Sequence, residues 1–346
     1  VERLEAARAA GIAHEALAFY SSGEQAAAKP EDAFEVSADS PIFGSAGNFL
    51  AWKPDTTDAE APKLKAIRLH QDLLRFHEKD NEPAPFLLAD IERLQFGENI
   101  AFGESKNARY KAALKASADQ SPDHELSGYA TYRRARVLQQ EGDLVEARAL
   151  AQRVRQMFPS SFAAKKARNL IGEIEARSAS ATSERVWNAP WPTINLRYRN
   201  VTNVWFRAVA WDWAAFLDKS HQRPEYLNDA DRKALLAKTP ALEWSAPLPA
   251  TADFKERLEE LPAPSTLKPG FYFLIASHNA AFDDTDNQVQ FTDFWVSDLA
   301  LIVRPRDGKL EGFVLEANSG EPAAGAEINA WHLDNQGNRV AAPETK

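Results

Sequence analysis

The spacing of hydrophobic positions changes along this chain, from a period near 3.6 to a period of two. Residues 1–22 are rich in Ala, Leu and Arg at helical spacing and stop at Ser21-Ser-Gly23. A polar stretch punctuated by proline follows, from 24 to 62. Leu64, Ile67 and Leu74, then Leu87, Ile91 and Leu94, predict two further helices. Asn81-Glu-Pro-Ala-Pro85 separates them, because proline disfavours helical geometry in the residue before it. The absence of proline between Pro159 and Pro190 suits a helix over 163–176. After Ser178-Ala-Ser-Ala-Thr-Ser183 the alternation begins. Ile194, Leu196 and Tyr198 alternate with Asn195 and Arg197. Trp205, Arg207, Val209 and Trp211 oppose Val204, Phe206, Ala208 and Ala210, with the turn at 199–203 between the two runs. Residues 214–262 break the pattern, and Asn228-Asp-Ala-Asp231 opens a capped short helix inserted between strands. Strands resume at 271–276, 291–296, 299–303, 310–315 and 326–333, a spacing that suits antiparallel sandwiches.

The clearest local pattern starts at Gly128. With Pro159 closing a 34-residue helix-turn-helix unit, Ala135, Gly142, Ala147 and Ala151 fall where tetratricopeptide-like repeats want small residues. Glu141-Gly-Asp-Leu-Val-Glu-Ala147 then resembles the turn between a repeat's two helices. The aromatic positions of that consensus do not match, so a plain two-helix hairpin stays open as a reading. In the repeat alignment Tyr129, Tyr132, Arg136 and Gln139 face the groove. Aromatic rings beside a guanidinium suit a peptide with an acidic group, and packing against a neighbouring helix suits the same four residues equally well.

Composition narrows the partners. The 346 residues are enough for two or three domains. A formal net charge of −9 argues against nucleic acid as a partner, and no apolar run nears the ~20 residues of a bilayer span, so no direct membrane insertion is expected. The chain opens at Val1 rather than Met, so either an internal boundary of a longer chain or a processed N-terminus is expected. No cysteine is present, which removes disulfides, thiolate metal sites and cysteine nucleophiles from these residues. Eight of the nine tryptophans lie beyond residue 185, a shift that marks a domain boundary.

Motifs for covalent chemistry are few. There is no Gly-x-Ser-x-Gly, and the histidines are scattered singly. His70 and His77 share a helix face two turns apart, a poor spacing for one metal, and read as surface or groove residues. Asp283-Asp-Thr-Asp286 resembles part of a calcium loop without its glycine or distal glutamate and reads as a solvated turn. Glu259 and Glu260 are sequence neighbours, not acids facing each other across a cleft. The tryptophans would suit a sugar platform, but Trp205 and Trp211 alternate with Val209 as core residues do. No catalytic residue, cofactor or metal is assigned, and the chain is read as not an enzyme. A carbohydrate-active enzyme or sugar-binding module stays as an alternative.

One resemblance spans roughly residues 125–346. Gly142-Asp-Leu-Val-Glu-Ala-Arg-Ala-Leu150, Ile194-Asn-Leu-Arg-Tyr-Arg-Asn-Val201, Leu267-Lys-Pro-Gly-Phe-Tyr-Phe-Leu-Ile-Ala-Ser277 and Gly312-Phe-Val-Leu-Glu-Ala-Asn-Ser-Gly-Glu-Pro-Ala-Ala-Gly-Ala-Glu327 together resemble the N-terminal part of bacterial alpha-2-macroglobulin-like proteins. The resemblance implies an extracytoplasmic protein, in the periplasm or at the cell surface of a bacterium, that traps endopeptidases. It also implies a bait segment and, in many members, a Cys-x-Glu-Gln thioester, neither of which maps onto these residues. The expected fold class is multidomain, α then β. An α-helical, tetratricopeptide-like domain would span 1–180. A macroglobulin- or immunoglobulin-like antiparallel β-sandwich would span 181–304, with the helical insertion near 214–262, and a second sandwich would begin over 305–346. The implied role is scaffolding and docking, with endopeptidases met through a larger parent chain and another envelope protein as a possible partner of the helical domain. The alternative role is a peptide-binding module of the cell envelope.

Overall fold

Leucine and alanine stripes at helical spacing set the front of the molecule. The structure, a computed structural model, describes residues 11, 13, 15–20, 33–215, 226–283, 285–307, 309–336 and 339–341. It divides into two units, Val1–Glu175 and Ala176–Lys346. Of the helix expected over 1–22, described positions between 11 and 20 are helical and the rest lies outside the described residues.

In the first unit a short strand β1 (Val36–Ser37) pairs in parallel with β2 (Ala101–Phe102). A 3-10 turn at Pro41–Phe43 leads into α1 (Ala46–Ala51), capped by the Ser45 hydroxyl, which accepts from the Asn48 amide at 3.2 Å. Six longer helices follow: α2 (Pro62–His77), α3 (Ala84–Ile100), α4 (Lys106–Gln120), α5 (Glu125–Gln140), α6 (Leu144–Met157) and α7 (Phe162–Glu175). Pro85 sits inside the first turn of α3 rather than in the break before it. A missing N–H costs nothing there, because the first-turn amides have no intrahelical partner. Ile42, Phe49, Ile67, Leu74, Ile91, Leu94 and Leu114 form the core. His70 belongs inside as well. Expected on the surface or in a groove, it is 4% exposed, with its ring 5.1 Å from that of Phe96, and sits at the floor of a shallow groove beside α3 rather than on the surface. The reason is that α2 buries a broad face, including Gln71, against the segment around α1.

In the second unit two sheets share one core. The three-stranded sheet runs β3 (Ser178–Thr182), β5 (Thr193–Arg199), β8 (Arg257–Pro262). The five-stranded sheet runs β4 (Val186–Trp187), β10 (Gln290–Val296), β9 (Gly270–Ser277), β6 (Asn203–Ala210), β7 (Leu242–Pro247). Ile194, Leu196 and Tyr198 from one sheet meet Val204, Phe206, Leu274 and Phe294 from the other. The far face of the larger sheet is buried too. There Val209, Phe271, Phe273 and Ile275 pack with Leu235 of α8 (Asp229–Ala237) and with Trp205 and Trp211. Burial on both faces explains why β9 is an unbroken apolar run without alternation. Asn228 and Asp231 form a reciprocal capping box at the start of α8.

Four expectations need correction. Residues 178–182 form a strand, whose Ser and Ala side chains give no alternating hydrophobic signal. The stretch 214–262 is more than a helical insertion, since it supplies β7 to one sheet and β8 to the other. Its residues 216–225 lie outside the described residues. The sandwich is not wholly antiparallel, because β4 pairs with β10 in parallel. The strand expected over 326–333 is confined to β13 (Trp331–Leu333), paired with β14 (Arg339–Ala341).

The strand β11 (Leu299–Arg306) pairs with β12 (Lys309–Glu316), not with the strands before it. Its register sets Leu301 opposite Val314 on one face and Ile302 opposite Phe313 on the other. Leu301 is 59% exposed and Ile302 52%, so both faces of this hairpin carry open apolar surface.

Candidate partner groove

The turn between α5 and α6 fixes the groove residues. Gly142 takes a left-handed conformation, φ +82°, which its missing Cβ permits. The Asp143 amide donates back to the Leu138 carbonyl at 2.9 Å and the Gly142 amide to the Gln139 carbonyl at 3.0 Å. These are the two bonds of a Schellman helix end. Asp143 then starts α6, its carboxylate accepting from the Glu146 amide at 3.2 Å. One Gly-Asp pair therefore closes one helix and opens the next. Ala135, Ala147 and Ala151 are fully buried where these helices approach one another.

Tyr129, Tyr132, Arg136 and Gln139 lie on one half-buried stripe of α5, and the structure brings all four together with α7. The rings of Tyr129 and Tyr132 stack at 6.3 Å, and Phe162 of α7 extends the row at 6.2 Å from Tyr129. The Arg136 guanidinium donates to Gln139 Oε1 at 2.8 Å and to Glu173 Oε2 at 2.9 Å. Gln139 Nε2 donates to the same Glu173 oxygen at 3.1 Å. Arg136 thus already holds a carboxylate from its own chain. Burial raises the Tyr132 phenol above its ordinary range, and the Arg136 and Arg133 charges oppose that shift. Tyr132 is accordingly a neutral hydroxyl at physiological pH.

Sequence reasoning missed Phe162 and Glu173. The cue was present, since Phe162 stands off the apolar stripe of α7 formed by Ala163, Ala167, Leu170 and Ile174, and is 63% exposed. An aromatic residue on the polar face of an amphipathic helix is the signal. Lys166 lies over its ring at 5.3 Å.

The other candidates are dispersed. His77 Nδ1 is 2.7 Å from the Asp80 carboxylate, half-buried at the end of α2. Asp283 accepts from the Thr285 amide and from Asn279 Nδ2, each at 3.0 Å, and so closes its own turn; Asp284 lies outside the described residues. Glu259 and Glu260 occupy successive positions of β8 and point to opposite faces. Among the described residues no group of three His, Asp or Glu stands where it could share a cation, and no helix is long and apolar enough to cross a membrane.

No protein-family model matches this chain, and no curated protein matches it in sequence. Among solved structures it is similar to native alpha-2-macroglobulin from Escherichia coli, in a crystal structure spanning domains NIE-MG1. The identity is 14%, over 49% of this chain and 82% of that one, with a TM-score of 0.33. A likeness of that depth assigns neither family nor activity.

Proposed function

We propose that these residues are the N-terminal scaffold and docking segment of a bacterial alpha-2-macroglobulin-like protein that traps endopeptidases outside the cytoplasm. The observation that carries the reading is the β11–β12 hairpin. A two-stranded hairpin is marginal in water by itself, and three or more strands over a shared core are needed for stability. Here Leu301 on one face and Ile302 and Phe313 on the other stand exposed, and among the described residues no third strand joins the pair. That is what the opening strands of a second sandwich look like before the remaining strands are added. The motifs running from Gly142 to Glu327 support the same assignment. In this reading the helical unit is tetratricopeptide-like, the first sandwich is of macroglobulin type, and this segment performs no covalent step.

The test is an immunoblot of the native source with antibody raised against these residues, before and after an added endopeptidase. The expected result is a band several times larger than 38.4 kDa that is cut at one discrete place. A band near 38.4 kDa that ignores the protease would overturn the proposal.

A second reading, a peptide-binding module of the envelope, is favoured by the Tyr132–Tyr129–Phe162 row with its exposed end. In it the stacked rings supply the recognition, because Glu173 already occupies Arg136. Tyr132→Ala would then abolish capture of a specific partner while leaving the helical signal of the domain unchanged. Unchanged capture would end that reading.

A further inference from the structure

A second stripe of α5 lines a different feature. Ser127, Gly128, Thr131 and Arg134 recur on one helix face and meet Leu150, Val154 and Met157 of α6, and Phe158 just past its end, across a cleft, with Lys115 and Ala118 of α4 at its side. A Cβ on Gly128 would stand 2.7 Å from the Phe158 ring, so that ring lies directly on bare helix backbone and forms a fixed wall. The cleft holds about 140 Å³. That is room for roughly four or five waters, far below the ~300 Å³ or more of a site for a drug-sized ligand or cofactor. It matches one aliphatic side chain.

The rim carries Lys115, Arg134 and Arg153 against one carboxylate, Asp119, a cationic balance in a chain whose net charge is −9. Two of its three cations are already engaged, Lys115 by Asp119 at 2.5 Å and Arg134 by Glu146 at 2.7 Å. The third, Arg153, meets only the Met157 sulfur, at 3.5 Å, and among the described residues its guanidinium reaches no carboxylate. One wall is apolar, Leu150, Val154, Met157 and Phe158, and the facing Ser127 and Thr131 hydroxyls are already spent on the Pro122 and Ser127 carbonyls. That wall beside an uncommitted planar fork of donors selects a ligand with an aliphatic group and a carboxylate side by side.

We propose that this cleft binds the C-terminal residue of a peptide whose last side chain is aliphatic, the side chain entering between α5 and α6 and the terminal carboxylate pairing with Arg153. The last residue carries both groups on one carbon. An internal acidic residue beside an aliphatic one does not, because neighbours on an extended chain point to opposite sides. The proposal is independent of the macroglobulin reading and stands or falls without it.

Met157 is the single methionine of the chain and lines the cleft, so methyl-¹³C methionine labelling of the full chain places one reporter there. N-acetyl-leucine is expected to shift that methyl resonance saturably. N-acetyl-leucinamide, which lacks the charge, should bind about two- to fivefold more weakly, the loss of one pair with an exposed arginine. In Arg153→Gln the difference between acid and amide should vanish. Arg153 lies on the surface, so the variant should keep its far-ultraviolet circular dichroism. The acid–amide comparison on the unaltered chain decides the matter even without it. Equal titration by acid and amide, or no shift with either, would overturn the site. Octanoate shifting Met157 as strongly as N-acetyl-leucine would overturn the assignment to a peptide terminus.

Discussion

Within residues 33–175 charge is buried, whereas within residues 176–346 the largest buried side chains are aromatic. Arg93 of α3 is 1% exposed and Asp90 6%. Its guanidinium pairs with the Asp90 carboxylate and donates to the carbonyls of Ile42 at 2.7 Å and Gly44 at 3.0 Å. Gln71 similarly donates to the carbonyls of Phe49 and Trp52, both at 2.8 Å. Burial alone lowers the Arg93 pKa, and the Asp90 charge and hydrogen bond oppose the shift. In the second unit Trp187, Phe294 and Tyr272 stack between the sheets, with centroids 3.9 Å and 5.5 Å apart. The difference follows from where the backbone finds partners. A helix satisfies its own interior, so the irregular segment around α1 must take its donors from side chains of α2 and α3. Strands satisfy one another, and their side chains can be apolar. The exception is instructive. Gln290 of β10 accepts from the Ala181 amide at 2.6 Å and donates to its carbonyl at 2.9 Å, a side-chain amide bridging the two sheets as a ladder rung would.

The comparison breaks hardest at Arg93. Arg93→Ala leaves the Asp90 carboxylate buried without its charge partner and two carbonyls without donors. The expected cost is about 3–5 kcal/mol, read as a lower denaturant midpoint of the helical circular dichroism signal. A loss below ~1 kcal/mol would mean that the pair is not what holds the irregular segment. Replacing both partners with apolar residues, Arg93→Met with Asp90→Leu, should recover part of the loss, since no lone charge then remains buried.

The sheet unit should break by cavity instead. Phe294 is 1% exposed, and Phe294→Ala removes the ring between Trp187 and Tyr272. About 3–4 kcal/mol of destabilisation is expected. Tryptophan fluorescence is the appropriate probe because eight of the nine tryptophans belong to this unit. A native emission spectrum identical to that of the unaltered chain would contradict the stacked arrangement around Trp187.

What could be read from sequence follows the same division. The α5–α6 hairpin was legible because its instructions are local: Gly142 for a left-handed helix end, Asp143 for a cap, alanines for close approach. The strand β5 was legible because one face lies in the shared core and it alternates cleanly, and β6 because a turn precedes its run of β-branched and aromatic residues. β3, β7 and β8 were not: β3 offers only Ser, Ala and Thr, and the edge strands β7 and β8 lie within a stretch whose periodicity is interrupted by α8 and by prolines. Arg93 gave no signal at all. A basic residue in an amphipathic helix reads as solvated, and the Ile42 and Gly44 carbonyls that explain its burial lie 51 and 49 residues away. The four groove candidates lie on one stripe of α5, but the carboxylate that Arg136 holds could not be read from sequence for the same reason, because Glu173 lies 37 residues from Arg136.

That last pair gives the smallest expected effect and the sharpest contrast with Arg93. Arg136 and Glu173 have the same chemistry as Arg93 and Asp90, but their side chains are 37% and 54% exposed. Water screens the attraction, and two long side chains must be ordered to make it, so Glu173→Gln should cost only about 0–1 kcal/mol in the helical unfolding transition. The substitution keeps the shape and a hydrogen-bonding carbonyl while freeing the Arg136 charge. If the groove selects ligands through that charge, Glu173→Gln should strengthen binding of an acidic peptide, and the gain should fade as salt is raised. If the stacked Tyr129, Tyr132 and Phe162 do the selecting, the same variant should leave binding unchanged while Tyr132→Ala removes it. The two variants measured side by side therefore separate a groove that works by charge from one that works by aromatic surface.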